Sequence, residues 1–172
     1  MRRVGYFLLI STMLLSISCR ENNRSEEVDE KLNAEQLAEI NRQLLIKDRE
    51  RIVSYIDRKD LDLQETATGL WISRDAGYSG NINEGDRVTL EYTCSLLDGT
   101  LVYDSGREGL MSFVVGKSDI PSGLNEGVKM LDEGSEAVMI LPGYLGYGLL
   151  GDEKKIPARS ILVYEIKVLE VK

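Results

Sequence analysis

The sequence has no histidine, and that absence removes a wide range of chemistry. The commonest general base is missing, the Ser-His and Cys-His nucleophile pairs cannot be built, and most zinc sites lose a ligand. Cysteine is nearly as scarce, and Cys19 and Cys94 cannot make a zinc cage between them. Positive charge is also in deficit. The chain has 21 Lys and Arg against 29 Asp and Glu, a formal charge of -8. Phosphate backbones need a clustered basic face, so no nucleic-acid partner is expected. No residue pattern calls for a metal or a cofactor.

What is present suits one globular domain with extras: 172 residues, 42% hydrophobic and 29% charged. Arg2 and Arg3 give a positive start, and "VGYFLLISTMLL" follows as an apolar run of 12 residues. That run is too short to span a bilayer comfortably but fits the apolar region of a secretory signal. The next residues, "SISC", resemble the lipobox of bacterial lipoproteins. The resemblance implies a signal peptide over residues 1–18, cleavage before Cys19 and lipid attachment to its sulfur. An ordinary signal peptide with an incidental cysteine is the other reading. Cleavage would remove Arg2 and Arg3, leaving an acidic, exported chain held to the membrane by a lipid anchor, facing the periplasm or the cell surface.

Residues 19–32 are polar and read as a flexible tether. Over residues 33–60 the pattern becomes helical, with Leu37, Ile40, Leu44, Ile52, Tyr55 and Ile56 at three- and four-residue steps. This apolar stripe either packs on its own domain or engages a partner, a second copy of the chain being one candidate. After the charged link "RKDLDLQETATG", residues 66–172 change to strand alternation. Val88, Leu90, Tyr92, Cys94 and Leu96 fall on one face, so Cys94 reads as a small buried hydrophobe without chemistry. "GLWISRD", "SFVVG", "EAVMILPG" and "SILVYEIKVLEVK" supply further strands. "PSGLNEGVKML" supplies one short helix, with Leu124, Val128 and Leu131 on a common side. The expected fold is α+β, a strand-rich domain with a single helix against the sheet, preceded by a helical arm.

Asp104, in "LVYDSG", sits in an apolar-Asp-Ser-Gly setting like that of an aspartic protease. Those enzymes need two carboxylates sharing one proton. Only one such triplet is present, and no apolar run into Gly-Arg-Asn or Gly-Arg-Asp follows it. The protease reading is therefore dropped.

Taken together, "VTLEYTCSLLDGTLVYDS", "FVVG", "GLNEGVKML", "EGSEAVMILPGYLGYG" and "IPARSILVYEIKVLEV" resemble the FKBP-type peptidyl-prolyl cis-trans isomerases. The blocks keep that family's order and spacing from Gly85 to Val171. The resemblance implies a curved antiparallel β-sheet wrapped on one short helix, and the helical arm is similar to that of envelope members of the family. It also implies the site. Tyr92 matches the tyrosine of "YTG", with Cys94 at the glycine position. Tyr103 and Asp104 match the Phe-Asp of "FDSS", and Met111 and Phe113 fall at the apolar positions that follow. Asp119, Ile120 and Pro121 match a pocket-lining segment, and Leu124 stands where a tryptophan forms the pocket floor. Tyr147 matches the tyrosine of "AYG", Ile156 the isoleucine of "IP", and Tyr164 the phenylalanine of "LVF".

The implied reaction suits the missing histidine. Rotation about an X-Pro bond makes and breaks no bond to hydrogen, and a dry aromatic cup favours the less polar, twisted amide. The resemblance gives Tyr92, Tyr103, Phe113, Ile120, Ile156 and Tyr164 as the cup, Tyr147 as a donor to the peptide backbone, and Asp104 as the charge that orients the turning amide. Three features depart from the pattern: Leu124 for the tryptophan, Pro121 without a backbone N–H, and the charged loop "GLLGDEKK". They imply a modest activity. The competing functions are a non-catalytic envelope chaperone or assembly factor using the same cleft, and a structural lipoprotein with a vestigial cup.

Overall fold

The strand alternation of the second half sets the architecture. In a computed structural model, residues 22–73, 80–117 and 119–172 are described, with residues 22–32 as backbone alone. Residues 1–18, and the expected lipid-bearing Cys19, lie outside them. The chain divides into two compact units, residues 1–46 and 47–172.

Helix α1 runs from Asn22 to Lys59, starting within the stretch expected to be a tether. In the first unit it carries exposed apolar side chains at Leu37, Ile40, Leu45 and Ile46. Local pairs such as Gln43 donating to Glu39, 2.8 Å, lie along it. Its last turns, from Lys47 onward, belong to the second unit. There the apolar stripe is covered: Ile52 is fully buried, and Val53, Tyr55 and Ile56 pack beside it. Their partners are Leu63, Trp71, Ile140, Ile161 and Val163. Ile52, Tyr55 and Ile56 of the stripe thus pack on their own domain.

The second unit is built on an antiparallel sheet in the order β1 (Leu63–Glu65), β2 (Trp71–Ser73), β6 (Glu136–Leu141), β7 (Leu162–Val171), β3 (Arg87–Leu96), β4 (Leu101–Asp104). Strand β5 (Met111–Val114) pairs with the first half of β3, beside β4 on the same edge. Register shifts between Thr89 and Leu90 and between Cys94 and Ser95 bend β3, because an extra residue on one strand increases local twist. This is the expected curved sheet.

Helix α3 (Ser122–Val128) lies on the inner face, where Leu124, Val128 and Leu131 are fully buried with Leu90, Met139, Leu141 and Leu162. It approaches closely because two of its buried positions lack side chains. A Cβ on Gly123 would stand 2.8 Å from Leu141 Cγ, and one on Gly127 2.6 Å from Met139 Cε.

Two elements go beyond the sequence reading. The charged link contains β1, whose buried Leu63 joins the outer cluster. A four-residue helix, α2 (Ser105–Glu108), connects β4 toward β5. The expected short helix on the inner face and the helical arm are both present, and the end of α1 covers the outer face. Arg49 fastens it there: the guanidinium lies 5.6 Å from the Trp71 ring centroid and donates to Glu65 at 2.7 Å. Deleting most of a fully buried side chain leaves a cavity, so Ile52→Ala should lower unfolding free energy by about 2–5 kcal/mol in chemical denaturation of the whole chain.

Candidate functional site: a tyrosine-lined cleft over the curved sheet

Cross-strand pairing brings the tyrosines together. On the row through Cys94, Tyr164 of β7 is its partner on one side and Tyr103 of β4 on the other. Met139 of β6 pairs with Tyr164 and extends the row. The small Cys94 between two rings leaves them room to stand up from the sheet. Tyr92, two residues earlier on β3, points to the same face.

A cleft of about 490 Å³ opens above this row, within the usual range for small-ligand sites. Tyr92, Tyr103, Met111, Tyr147 and Tyr164 form its wall and floor. Glu108 at the end of α2 and the loop from Leu150 to Lys154 form its rim.

The remaining expected residues are placed differently. Phe113, Leu124 and Ile156 are buried in the inner core that continues from Tyr92 and Tyr164. Ile120 is half-buried against that core, Pro121 is buried at the N-cap of α3, and Asp119 is exposed. None of these six is in the cleft lining. Leu124 is fully buried, so this position serves as core.

Asp104 lies beside the cleft. Its Oδ1 accepts from the Arg107 backbone N–H at 3.0 Å, capping α2, and its Oδ2 is 3.5 Å from the Arg107 guanidinium. Asp104 lines an adjoining groove with Glu91, Ser105, Glu165 and Lys167, and Tyr92 borders both that groove and the main cleft.

The tyrosines of the wall are held neutral. Burial pushes Tyr92 and Tyr147 upward, and it pushes Tyr103 and Tyr164 far above the ordinary phenol range. The neighbouring Cys94 thiol and Tyr147 hydroxyl raise Tyr164 further. Burial also raises the Cys94 thiol to about 11, which fits a packed, inert side chain.

A family model described as FKBP-type peptidyl-prolyl cis-trans isomerase matches residues 79–169, more than half of the sequence. The chain belongs to that family. Peptidyl-prolyl cis-trans isomerase Fkbp12 of Drosophila melanogaster is 36% identical over 89 residues, 51% of this chain and 82% of that one. Peptidyl-prolyl cis-trans isomerase FKBP9 of Homo sapiens is 33% identical over 89 residues, and the match spans only 16% of its length. FkpA from Escherichia coli has the same fold, with a TM-score of 0.62 at 24% identity over 91% of this chain and 74% of its own.

In this FKBP-type domain, three charged residues stand at the cleft that the sequence reading did not single out. The Tyr103 hydroxyl donates to Asp152 Oδ2 on the rim loop. Asp152 Oδ1 accepts the backbone N–H groups of Lys154, Lys155 and Ile156 at 3.0, 2.9 and 2.7 Å. Lys155 Nζ sits 4.5 Å from the Tyr103 ring centroid and 2.7 Å from Glu108 Oε1. Gly151 has φ +72, and a Cβ there would drive into the Ile156 carbonyl and stand 2.9 Å from the Pro157 carbonyl carbon. A sequence signal existed in retrospect: a glycine-aspartate pair, whose aspartate can cap the amides after it, and a tyrosine where the family pattern has phenylalanine.

Desolvation pulls the Asp152 carboxyl upward, but the Tyr103 hydroxyl and three backbone amides outweigh it and hold it below the ordinary aspartate value of 3.8. A carboxyl lowered on folding contributes stability fully above its unfolded value and loses it as pH falls through the folded one. The loop is therefore held at neutral pH and released in acid. Backbone amide shifts of Lys154, Lys155 and Ile156 should titrate with an apparent midpoint below 3.8. A midpoint at or above that value would show that these contacts do not favour the carboxylate.

Proposed function

We propose that the chain accelerates rotation about X-Pro bonds in exported polypeptides. The observation that carries this reading is the cleft itself: neutral tyrosines and a methionine above the curved sheet of an FKBP-type domain. An X-Pro amide turns over a barrier of about 20 kcal/mol because planarity is held by resonance. Twisting localises the C–N bond and leaves a less polar carbonyl, so an apolar cup stabilises the twisted form relative to the solvated planar one. Only that difference accelerates the reaction.

Tyr92, Tyr103 and Tyr164 receive the proline ring, and Met111 closes the cup. Tyr147 donates its hydroxyl to the peptide backbone. Asp104 acts from beside the cup, keeping α2 in place and adding negative charge near the amide. Because no proton transfer is involved, the high phenol values and the absence of histidine are no handicap.

A protease-coupled assay on prolyl tetrapeptides tests the reading. Wild type should give a rate above background, and Tyr147→Phe and Asp104→Leu should each lower kcat/KM about tenfold, roughly 1.4 kcal/mol of transition-state stabilisation. Absence of any rate would remove the isomerase reading and leave the non-catalytic chaperone. The exposed Leu149 and Leu150, 73% and 77% accessible on the rim loop, favour that second reading as a hold on unfolded chains.

The setting of the protein belongs to the same proposal. The lipobox-like start supports a lipoprotein anchored through Cys19 in the cell envelope, and the exposed Leu37, Ile40, Leu45 and Ile46 support a homodimer through the helical arm. Cys19→Ser should release the protein from the membrane fraction. The released form should sediment as a dimer, and adding Leu37→Glu and Ile40→Glu should make it a monomer. Wild type in the soluble fraction, or a monomer before those changes, would end this part.

A further inference from the structure

The rim loop is tied across the cleft at three points, and each tie ends on a residue of the opposite wall. The Tyr103 hydroxyl donates to Asp152. Lys155 lies over the face of the same ring. Its ammonium is paired with Glu108 of α2. The loop is also closed on itself by the three amides that Asp152 accepts, and by Gly151 packed against the Ile156 carbonyl. Asp152 is the shared member: one oxygen shapes the loop and the other fastens it to the wall. Leu150 and Gly151, which line the cleft, are thereby fixed before any ligand arrives.

The geometry points to Asp152 as a positioning residue that presets the rim loop for substrate, acting through the Tyr103 hydroxyl on affinity and not on the rotation step. This inference rests on the isomerase reading of the cleft. A loop ordered in advance does not have to be immobilised when a peptide binds, so the tie lowers the entropic loss on binding. The twisting amide is held by the rings and by Tyr147, which the tie leaves in place.

Tyr103→Phe keeps the ring and removes only the donor, and Asp152→Asn keeps the size and removes the charge. Each should raise KM for a prolyl tetrapeptide about threefold to tenfold, the range expected for loss of one charge-assisted hydrogen bond at a partly solvated site. In Asp152→Asn, kcat should stay within about twofold. Hydrogen exchange at the Lys154, Lys155 and Ile156 amides should quicken in Asp152→Asn. The double variant should be no worse than the more affected single one, because both remove the same tie. Unchanged KM in both single variants, a fall in kcat alone, or fully additive losses would overturn the inference. A wild type with no isomerase rate would instead defeat the functional reading. The dissociation constant of the same peptide, measured by titration calorimetry, then replaces KM under the same criteria, and a wild type that binds no peptide overturns the inference as well.

Discussion

Strand β3 is paired along its length by β7 on one edge and by β5 and β4 in succession on the other, and the site depends on that double pairing. A strand with both edges occupied has little freedom to slip, because a one-residue shift would turn its buried set to solvent. Register fixes which side chains meet. Cys94 is held between Tyr103 and Tyr164, and Tyr92 stands beside them. The two register shifts curve the strand, and curvature turns a row of aromatic residues into a concavity. Had the sheet been flat, the same tyrosines would have formed a surface.

The inner and outer faces of the sheet serve different ends. Helix α3 and its glycines fill the inner side, leaving the cleft open only where the Cys94 row emerges beyond the packed core. The outer side is covered by Ile52 and its neighbours, with Arg49 bridging Trp71 and Glu65. That second layer stiffens β2, β6 and β7 from behind without touching the cleft. The inner face thus carries both the main core and the cleft, and the outer face a second packed layer.

Much of this was legible from residue order. The alternation of Val88, Leu90, Tyr92 and Cys94 predicts both the strand and its buried face, and Leu124, Val128 and Leu131 predict the packed side of α3. Strand β1 was hidden because its three residues, Leu-Gln-Glu, lie in a charged stretch and are ordered by pairing with β2, a tertiary effect with no local signature. The cover on the outer face was half visible: helical spacing marked the stripe, but spacing alone does not say which part meets the sheet. At the site, family position located five of the cleft-lining residues, and missed Glu108 and the rim loop. It also included Phe113, Leu124 and Ile156, which side-chain packing places in the core behind them.

The two aspartates carry the clearest lesson about local pattern and context. Asp104 draws attention through its Asp-Ser-Gly setting, yet its carboxylate is engaged in ending β4 and starting α2, a backbone task. Asp152 sits in a run of charges that reads as solvated loop. Its significance comes from Gly151, which lets the chain turn back on itself, and from the hydroxyl that Tyr103 has and a phenylalanine would lack. A phenol needs an acceptor when it is desolvated, and a carboxylate that shapes its own loop can supply one at no further conformational cost. The extra oxygen on the wall and the acid in the loop are physically one feature. Tyr103 and Asp152 lie 49 apart in sequence, and only the fold brings them together.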